Sequence, residues 1–310
     1  MKAWLALFLT MLLSDAPDIE AQASPAAPPV VAGYAPHGRG DWSVDETLPL
    51  TDILYFSVEP TPDGGVDTRY LSDQVGEEIA RLHTAYAEGG GVRILLCVGG
   101  WGRSEHFAAV TADDTLRARL VAELAALCET YGFDGIDFDW EHPQNAEQLA
   151  DYTRLLVESA AALHPDGRMV TVAQAGWQDL GLDAYDALGR VHLMSYDHDF
   201  PQATFEESTA EVERLIAWGC PPEKIALGLP FYGRNEARDA MPYRALVARY
   251  APESDDDLVA GFACNSPATV SAKTRYALER GLAGVMVWQV YQDAEGERSL
   301  LGAIAEALAE

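Results

Sequence analysis

The segment FDGIDFDWEHP, residues 133–143, crowds Asp134, Asp137, Asp139 and Glu141 into eight residues, interleaved with Ile136, Phe138 and Trp140. Carboxylates at that density can serve as a solvated face, as hard-oxygen ligands for calcium or magnesium, or as acid/base groups. In a strand, residues i, i+2 and i+4 share a face. Asp137, Asp139 and Glu141 therefore line one side, and Ile136, Phe138 and Trp140 the other. Three carboxylates along one line do not surround an ion, so a metal is not expected. Like charges in a poorly solvated site cannot all ionise cheaply, and at least one pKa must rise. Glu141, nearest the open end of the strand, is the natural proton donor. His142 could tune it, although a loop histidine without that role fits equally well.

An arrangement of this kind needs a frame that turns one strand face inward. Eight short apolar runs supply one, at residues 30–35, 52–58, 92–99, 135–141, 169–175, 191–197, 225–231 and 284–289. Near-continuous apolar character marks strands covered on both faces, as in parallel sheets. Helical periodicity separates most of them: 72–86, with Ser72 as N-cap; 113–132, closed by Gly132; 145–163; 208–218; 271–280; and 299–308. The alternation predicts a (β/α)8 TIM barrel over residues 30–310, a single domain with a short insertion after strand 7. An open doubly wound sheet is the runner-up, but no GxGxxG follows the first strand. Residues 235–267 form the longest interval without a strand, contain a helical stretch at 243–250, and are expected to fold over one barrel face.

In such a barrel the chemistry sits at the C-terminal strand ends. Those ends offer Tyr34; Phe56; Trp101 after two glycines; Asp137, Asp139 and Glu141; Gln174; Met194, Tyr196 and Asp197; Tyr232 and Arg234; and Trp288. Phenols and indoles beside carboxylates suit the holding and cutting of sugars. Trp42 and Trp177, in loops, could extend that platform. Trp140 reads as outer-face packing.

Composition limits the alternatives. With 48% hydrophobic and 23% charged residues the chain can bury a substantial core. Its net charge of −28 argues against a nucleic-acid partner. At the N-terminus, Lys2, the apolar run Ala3–Leu13 and Ala21-Gln22-Ala23 read as a signal peptide over residues 1–23, with 24–29 as a disordered lead-in. The run is short for a membrane span, so a secreted protein with no membrane association after cleavage is expected, most simply a monomer. Cys97, Cys128, Cys220 and Cys264 show no CxxC pair, and Cys97 and Cys128 read as packed free thiols.

The motif DGIDFDWE resembles the DxxDxDxE signature of glycoside hydrolase family 18, the chitinases. CVGGW, MSYD, GLPFYGR and GVMVWQVYQD resemble the family's strand-three, strand-six, strand-seven and strand-eight motifs, in order, from about Val31 to Asp293. One departure is Cys97, which stands where the strand-three motif usually has serine. The resemblance implies retention without an enzyme nucleophile, the substrate's own 2-acetamido carbonyl attacking the anomeric carbon. Glu141 would protonate the glycosidic oxygen and later activate water. Asp139 would hold the acetamido N–H, and Asp137 would share a proton with it. Tyr196 would bind the acetamido oxygen beside Asp197, and Trp288 would floor the −1 sugar. Tyr34, Phe56, Trp101, Gln174, Met194, Tyr232 and Arg234 would complete the pocket, while Asp134 is read as structural.

The activity so implied is hydrolysis of β-1,4-linked N-acetylglucosamine polymers, chitin or chito-oligosaccharides, with no cofactor. The alternatives are an endo-β-N-acetylglucosaminidase acting on N-glycans or peptidoglycan, and a non-hydrolytic sugar-binding lectin. The lectin is disfavoured by the presence of Glu141. The short insertion predicts an open cleft and endo cleavage.

Overall fold

The computed structural model describes residues 28–37, 44–69, 71 and 74–310. The signal-peptide segment, most of the lead-in, Trp42 and the Ser72 cap lie outside the described residues.

Eight parallel strands form the frame: β1 (Val30–Pro36), β2 (Asp52–Pro60), β3 (Arg93–Gly99), β4 (Gly135–Asp139), β5 (Met169–Ala175), β6 (Arg190–Met194), β7 (Ile225–Pro230) and β8 (Gly284–Trp288). Each pairs with its sequence neighbours, and β8 returns to β1, so the sheet closes into a barrel. Helices surround it, as the alternating pattern predicts.

Side-chain alternation divides the apolar residues into two cores. Val30, Ala32, Tyr34, Leu54, Phe56, Cys97, Ala173, Ala226 and Met286 fill the barrel interior. The opposite parity, which includes Ile136, Phe138, Val170, Val172 and Val285, meets the helices in the larger outer core. Trp140 belongs to that outer core and stacks on Phe107 at 5.3 Å between ring centroids. The division follows from strand geometry, since a one-residue slip would exchange the two faces.

The helical shell is set by local signals. Asp113 caps α1 (Asp114–Tyr131) by accepting from the Thr115 and Leu116 amides, and Gly132 ends it in the left-handed conformation. α2 (Phe205–Ala217) starts three residues before Ser208, because Thr204 and Glu207 form a reciprocal capping box. α3 (Pro267–Glu279) likewise starts early, on a Ser266 cap. The short helices Phe107–Ala112 and Leu182–Ala187 are too brief to show periodicity in the sequence.

The interval 235–267 differs from the strandless reading. It carries the strands Ala240–Pro242, Leu258–Val259 and Phe262–Ala263, which join Tyr232–Arg234 in a small antiparallel sheet, together with the helix Tyr243–Tyr250. Strands of two or three residues leave almost no alternation to read. All four cysteines are buried and free.

Candidate active site

The register of β3, β4 and β5 places Cys97, Asp137 and Thr171 in one row, with Gly99 and Asp139 paired one step above. The acidic ladder therefore climbs the barrel interior from a sealed floor to an open mouth.

At the bottom, Asp137 is fully buried. It accepts hydrogen bonds from the Tyr34 hydroxyl at 2.7 Å and the Thr171 hydroxyl at 2.6 Å, and His192 Nδ1 lies 3.1 Å away. Thr171 and His192 were not singled out in the sequence. Their signal was parity: His192 shares the inward face of β6 with Met194, and Thr171 that of β5 with Ala173.

One step up, Asp139 is buried and its Oδ1 has no hydrogen-bond partner among the described residues. Burial, then the charges of Glu141 and Asp137, hold its pKa well above the usual carboxylate range. Its main-chain oxygen accepts from the Gly100 amide at 2.6 Å. That close approach explains the glycine pair after β3. A Cβ at Gly99 would lie 2.4 Å from the Asp139 oxygen, one at Gly100 would lie 2.3 Å from the Phe56 ring, and both have φ near +100°.

At the mouth, Glu141 lies two residues past the end of β4. Its amide donates to Ser104 Oγ at 3.0 Å, and the Trp101 amide near its carboxyl favours the ionised form. Burial, reinforced by the charge of Asp197, pushes Glu141 up to about 7. His142 Nε2 lies 3.5 Å from Glu141 Oε2, and the His142 ring stands edge-on to Trp177 at 5.2 Å. The Glu141–His142 peptide is cis. Near neutrality one carboxyl can thus donate a proton, while a second, deeper one resists carrying full charge.

Aromatic residues surround these carboxyls. Trp288 at the end of β8 packs on Phe56 at 4.7 Å and Tyr34 at 5.5 Å. Tyr196 stands beside Tyr232 at 6.3 Å, and burial raises both phenols well above their usual range, so they stay protonated donors. Asp197 accepts from the Tyr232 hydroxyl at 2.5 Å and pairs with Arg234 at 2.6 Å.

The cleft above has a volume of about 810 Å³. Of the residues singled out from the sequence, Tyr34, Trp101, Asp139 and Glu141 line one part of it, with Met194, Tyr196, Asp197, Tyr232, Arg234 and Trp288 around the rest. Trp101 is 80% exposed and free to meet a ligand. Asp137 and Phe56 lie beneath, supporting Asp139 and Trp288.

Gln174 is a correction. The inward residues of β5 are Thr171, Ala173 and Ala175, so Gln174 faces the shell. There its amide nitrogen donates to the Gln178 carbonyl at 2.5 Å and lies 3.0 Å from the Tyr185 hydroxyl. The alternation rule that orders β4 excludes Gln174 from the pocket. Asp134 likewise lies outside it, accepting from the Ile94 amide at 2.7 Å with His83 at 2.8 Å.

The cleft wall also contains Trp177, His198, Asp199, Glu211 and Arg238. His198 lies 3.1 Å from Glu211, which reaches in from α2. Nothing in the local sequence points a helix residue at a distant strand end. Among the described residues no helix is long and apolar enough to cross a membrane, and no group of three or more His, Cys, Asp or Glu is placed to hold a metal ion.

The model for "Glycosyl hydrolases family 18" matches residues 35–293. Chitinase 1 of Aphanocladium album is 26% identical over 335 aligned positions, which cover 84% of this chain and 79% of that protein. The fold resembles that of a chitinase from Bacteroides thetaiotaomicron, with a TM-score of 0.79, 21% identity, and coverage of 91% of this chain and 97% of that one. It also resembles a mutant plant class V chitinase from Cycas revoluta in complex with (GlcNAc)3, with a TM-score of 0.76, 20% identity, and coverage of 90% and 99%.

Proposed function

The chain belongs to glycosyl hydrolases family 18 and is a glycoside hydrolase, and from that premise we propose that it cleaves β-1,4-linked N-acetylglucosamine polymers with retention, assisted by the substrate's acetamido group. The observation that carries this reading is the pairing of Asp139, whose carboxyl resists full ionisation, with Glu141, pushed up to about 7, over the Trp288 floor. The Glu141 proton passes to the glycosidic oxygen as the bond to the anomeric carbon breaks. The acetamido oxygen forms the new bond to that carbon, giving an oxazolinium ion. Asp139 takes the acetamido N–H and steadies the cation, while the Tyr196 hydroxyl orients the acetamido oxygen. Glu141, now a carboxylate, removes a proton from the water that opens the ring, which restores the acid. The aromatic floor and the neighbouring solved chitinase bound to (GlcNAc)3 support an N-acetylglucosamine glycan as ligand. The N-terminal apolar run supports export, and the short excursion after β7 supports endo cleavage.

Product analysis on N-acetylglucosamine oligomers, peptidoglycan fragments and N-glycans tests the substrate, with Glu141→Gln as control. Oligomer cleavage that is inhibited by a thiazoline mimic of the intermediate is expected. Cleavage confined to N-glycans or peptidoglycan would replace the substrate assignment. Binding without any cleavage would favour the lectin, and exclusive release of dimers from chain ends would overturn endo action.

A further inference from the structure

We infer that His142 is a positioning residue for Glu141: its Nε2–H meets the carboxylate as that group ionises, and so eases transfer of the proton to the leaving oxygen. This role rests on Glu141 being the acid.

The ring is held on several sides. Its edge stands against Trp177, its main-chain carbonyl accepts from Gln144 Nε2 at 2.6 Å, and Nε2 faces Glu141 Oε2 at 3.5 Å. Nδ1 is buried and has no hydrogen-bond partner among the described residues. A proton on Nδ1 would be a stranded donor, so the neutral ring keeps its hydrogen on Nε2, toward the acid. Burial lowers the His142 pKa, which keeps the ring neutral where Glu141 still holds its proton.

Among the described residues, the groups close to Glu141 are Asp139 from β4, Cys97 from β3, Tyr196 and Asp197 from the turn after β6, the Trp101 amide, and His142. Burial and the charge of Asp197 oppose its ionisation. The Tyr196 hydroxyl points to the Met286 sulfur at 4.0 Å. Among the described residues, the Trp101 amide and the His142 Nε2–H remain as donors for the carboxylate. A hydrogen bond to a carboxylate is stronger than one to a neutral carboxyl, so this contact tightens as the proton leaves. Interactions that strengthen on the way to the transition state accelerate the step, and a distance of 3.5 Å before substrate binds is compatible with such tightening.

The test compares a sugar leaving group with one that needs no proton. His142→Phe and the smaller His142→Leu lack the donor, and His142→Gln restores an N–H without a titrating ring. On chitotetraose, kcat/KM is expected to fall roughly tenfold in both apolar variants, and its alkaline limb to move up by about half a pH unit. Release of 4-nitrophenol from a chitobioside should change less than about twofold, because that leaving group departs unprotonated. His142→Gln should stay near wild type on both substrates. Equal losses on the two substrates, or an unmoved alkaline limb, with circular dichroism unchanged, would overturn the role. Glu141→Gln separates the two assignments. If it is inactive on chitotetraose while His142→Phe behaves as wild type, only the positioning role fails. If Glu141→Gln stays active, the acid itself is misassigned.

Discussion

The barrel buries an aspartate at each end, and the two behave in opposite ways. Asp52, at the start of β2, is fully buried, and burial pushes its pKa up. Arg190 at 3.0 Å, Arg93 at 2.7 Å and the Thr51 hydroxyl at 2.7 Å outweigh that and leave it below the usual range. Asp139, at the other end, is nearly as buried but among the described residues has no ion pair with a cation, and Glu141 and Asp137 add like charge. Burial alone therefore does not decide what a carboxylate is for. Paired with arginines it anchors the N-terminal end of the barrel; left among carboxylates it becomes chemically responsive.

The largest expected effect breaks the mouth. Glu141→Gln should lower kcat on chitotetraose by about a thousandfold or more, within the range for loss of a general acid, measured as reducing-end release. Asp139→Asn should cost about a hundredfold. It should not lower the melting temperature, because it removes a buried carboxyl that opposes its neighbours. Asp52→Asn should do the reverse. It leaves two arginines facing a neutral amide, at a cost of about 3 kcal/mol, since losing one partner of a buried pair strands the other. For a domain of this size the melting temperature should fall by roughly 6 °C, with kcat unchanged. A stable Asp52→Asn variant, or an unstable but active Asp139→Asn variant, would dissolve the distinction between the two ends.

The mouth half of this contrast was legible in the sequence, and the Asp52 half was not. The alternation around Asp137, Asp139 and Glu141 reveals its inward face because Ile136, Phe138 and Trp140 need the helical shell. The eight apolar runs give the barrel for the same reason. Groups brought in by register or by distant elements were not legible. Arg190 and Arg93 reach Asp52 only because β3 and β6 start level with it. Glu211 arrives from a helix, and His192 matters only once β6 is known to face Asp137. Gln174 shows the converse failure: it is polar and near a strand end, but on the wrong parity.

The two ends should also separate in the pH dependence of stability. Asp52 has a folded pKa below its unfolded value. Its contribution is present above about pH 4 and is lost as pH falls through the lowered value. Glu141 has a folded pKa of about 7 against an ordinary 4.5, so the folded state binds its proton more tightly. Ionising it costs stability that accumulates as pH rises from 4.5 to 7 and is constant above, about 3 kcal/mol at most. The melting temperature of Glu141→Gln relative to wild type should therefore rise across that window and level off. A difference independent of pH would mean that Glu141 ionises at its ordinary pKa.

The smallest effect concerns the row between the two ends. Cys97 is fully buried and sits beside Asp137 in the register of β3 and β4. Burial, then the charges of Asp137 and Asp139, raise its pKa well above the usual thiol range, so it stays a neutral, weak donor. Asp137 already accepts from Tyr34 and Thr171, with His192 alongside. Its oxygens are therefore satisfied largely without the sulfur. A serine at position 97 would offer a stronger donor on a shorter bond, adding to a site that is nearly satisfied. Cys97→Ser should accordingly change kcat on chitotetraose by less than about threefold, since a net hydrogen-bond difference of this kind is worth about half a kcal/mol. A tenfold change in either direction would mean that the donors on Asp137 set the proton balance with Asp139, and that the mouth depends on the row beneath it.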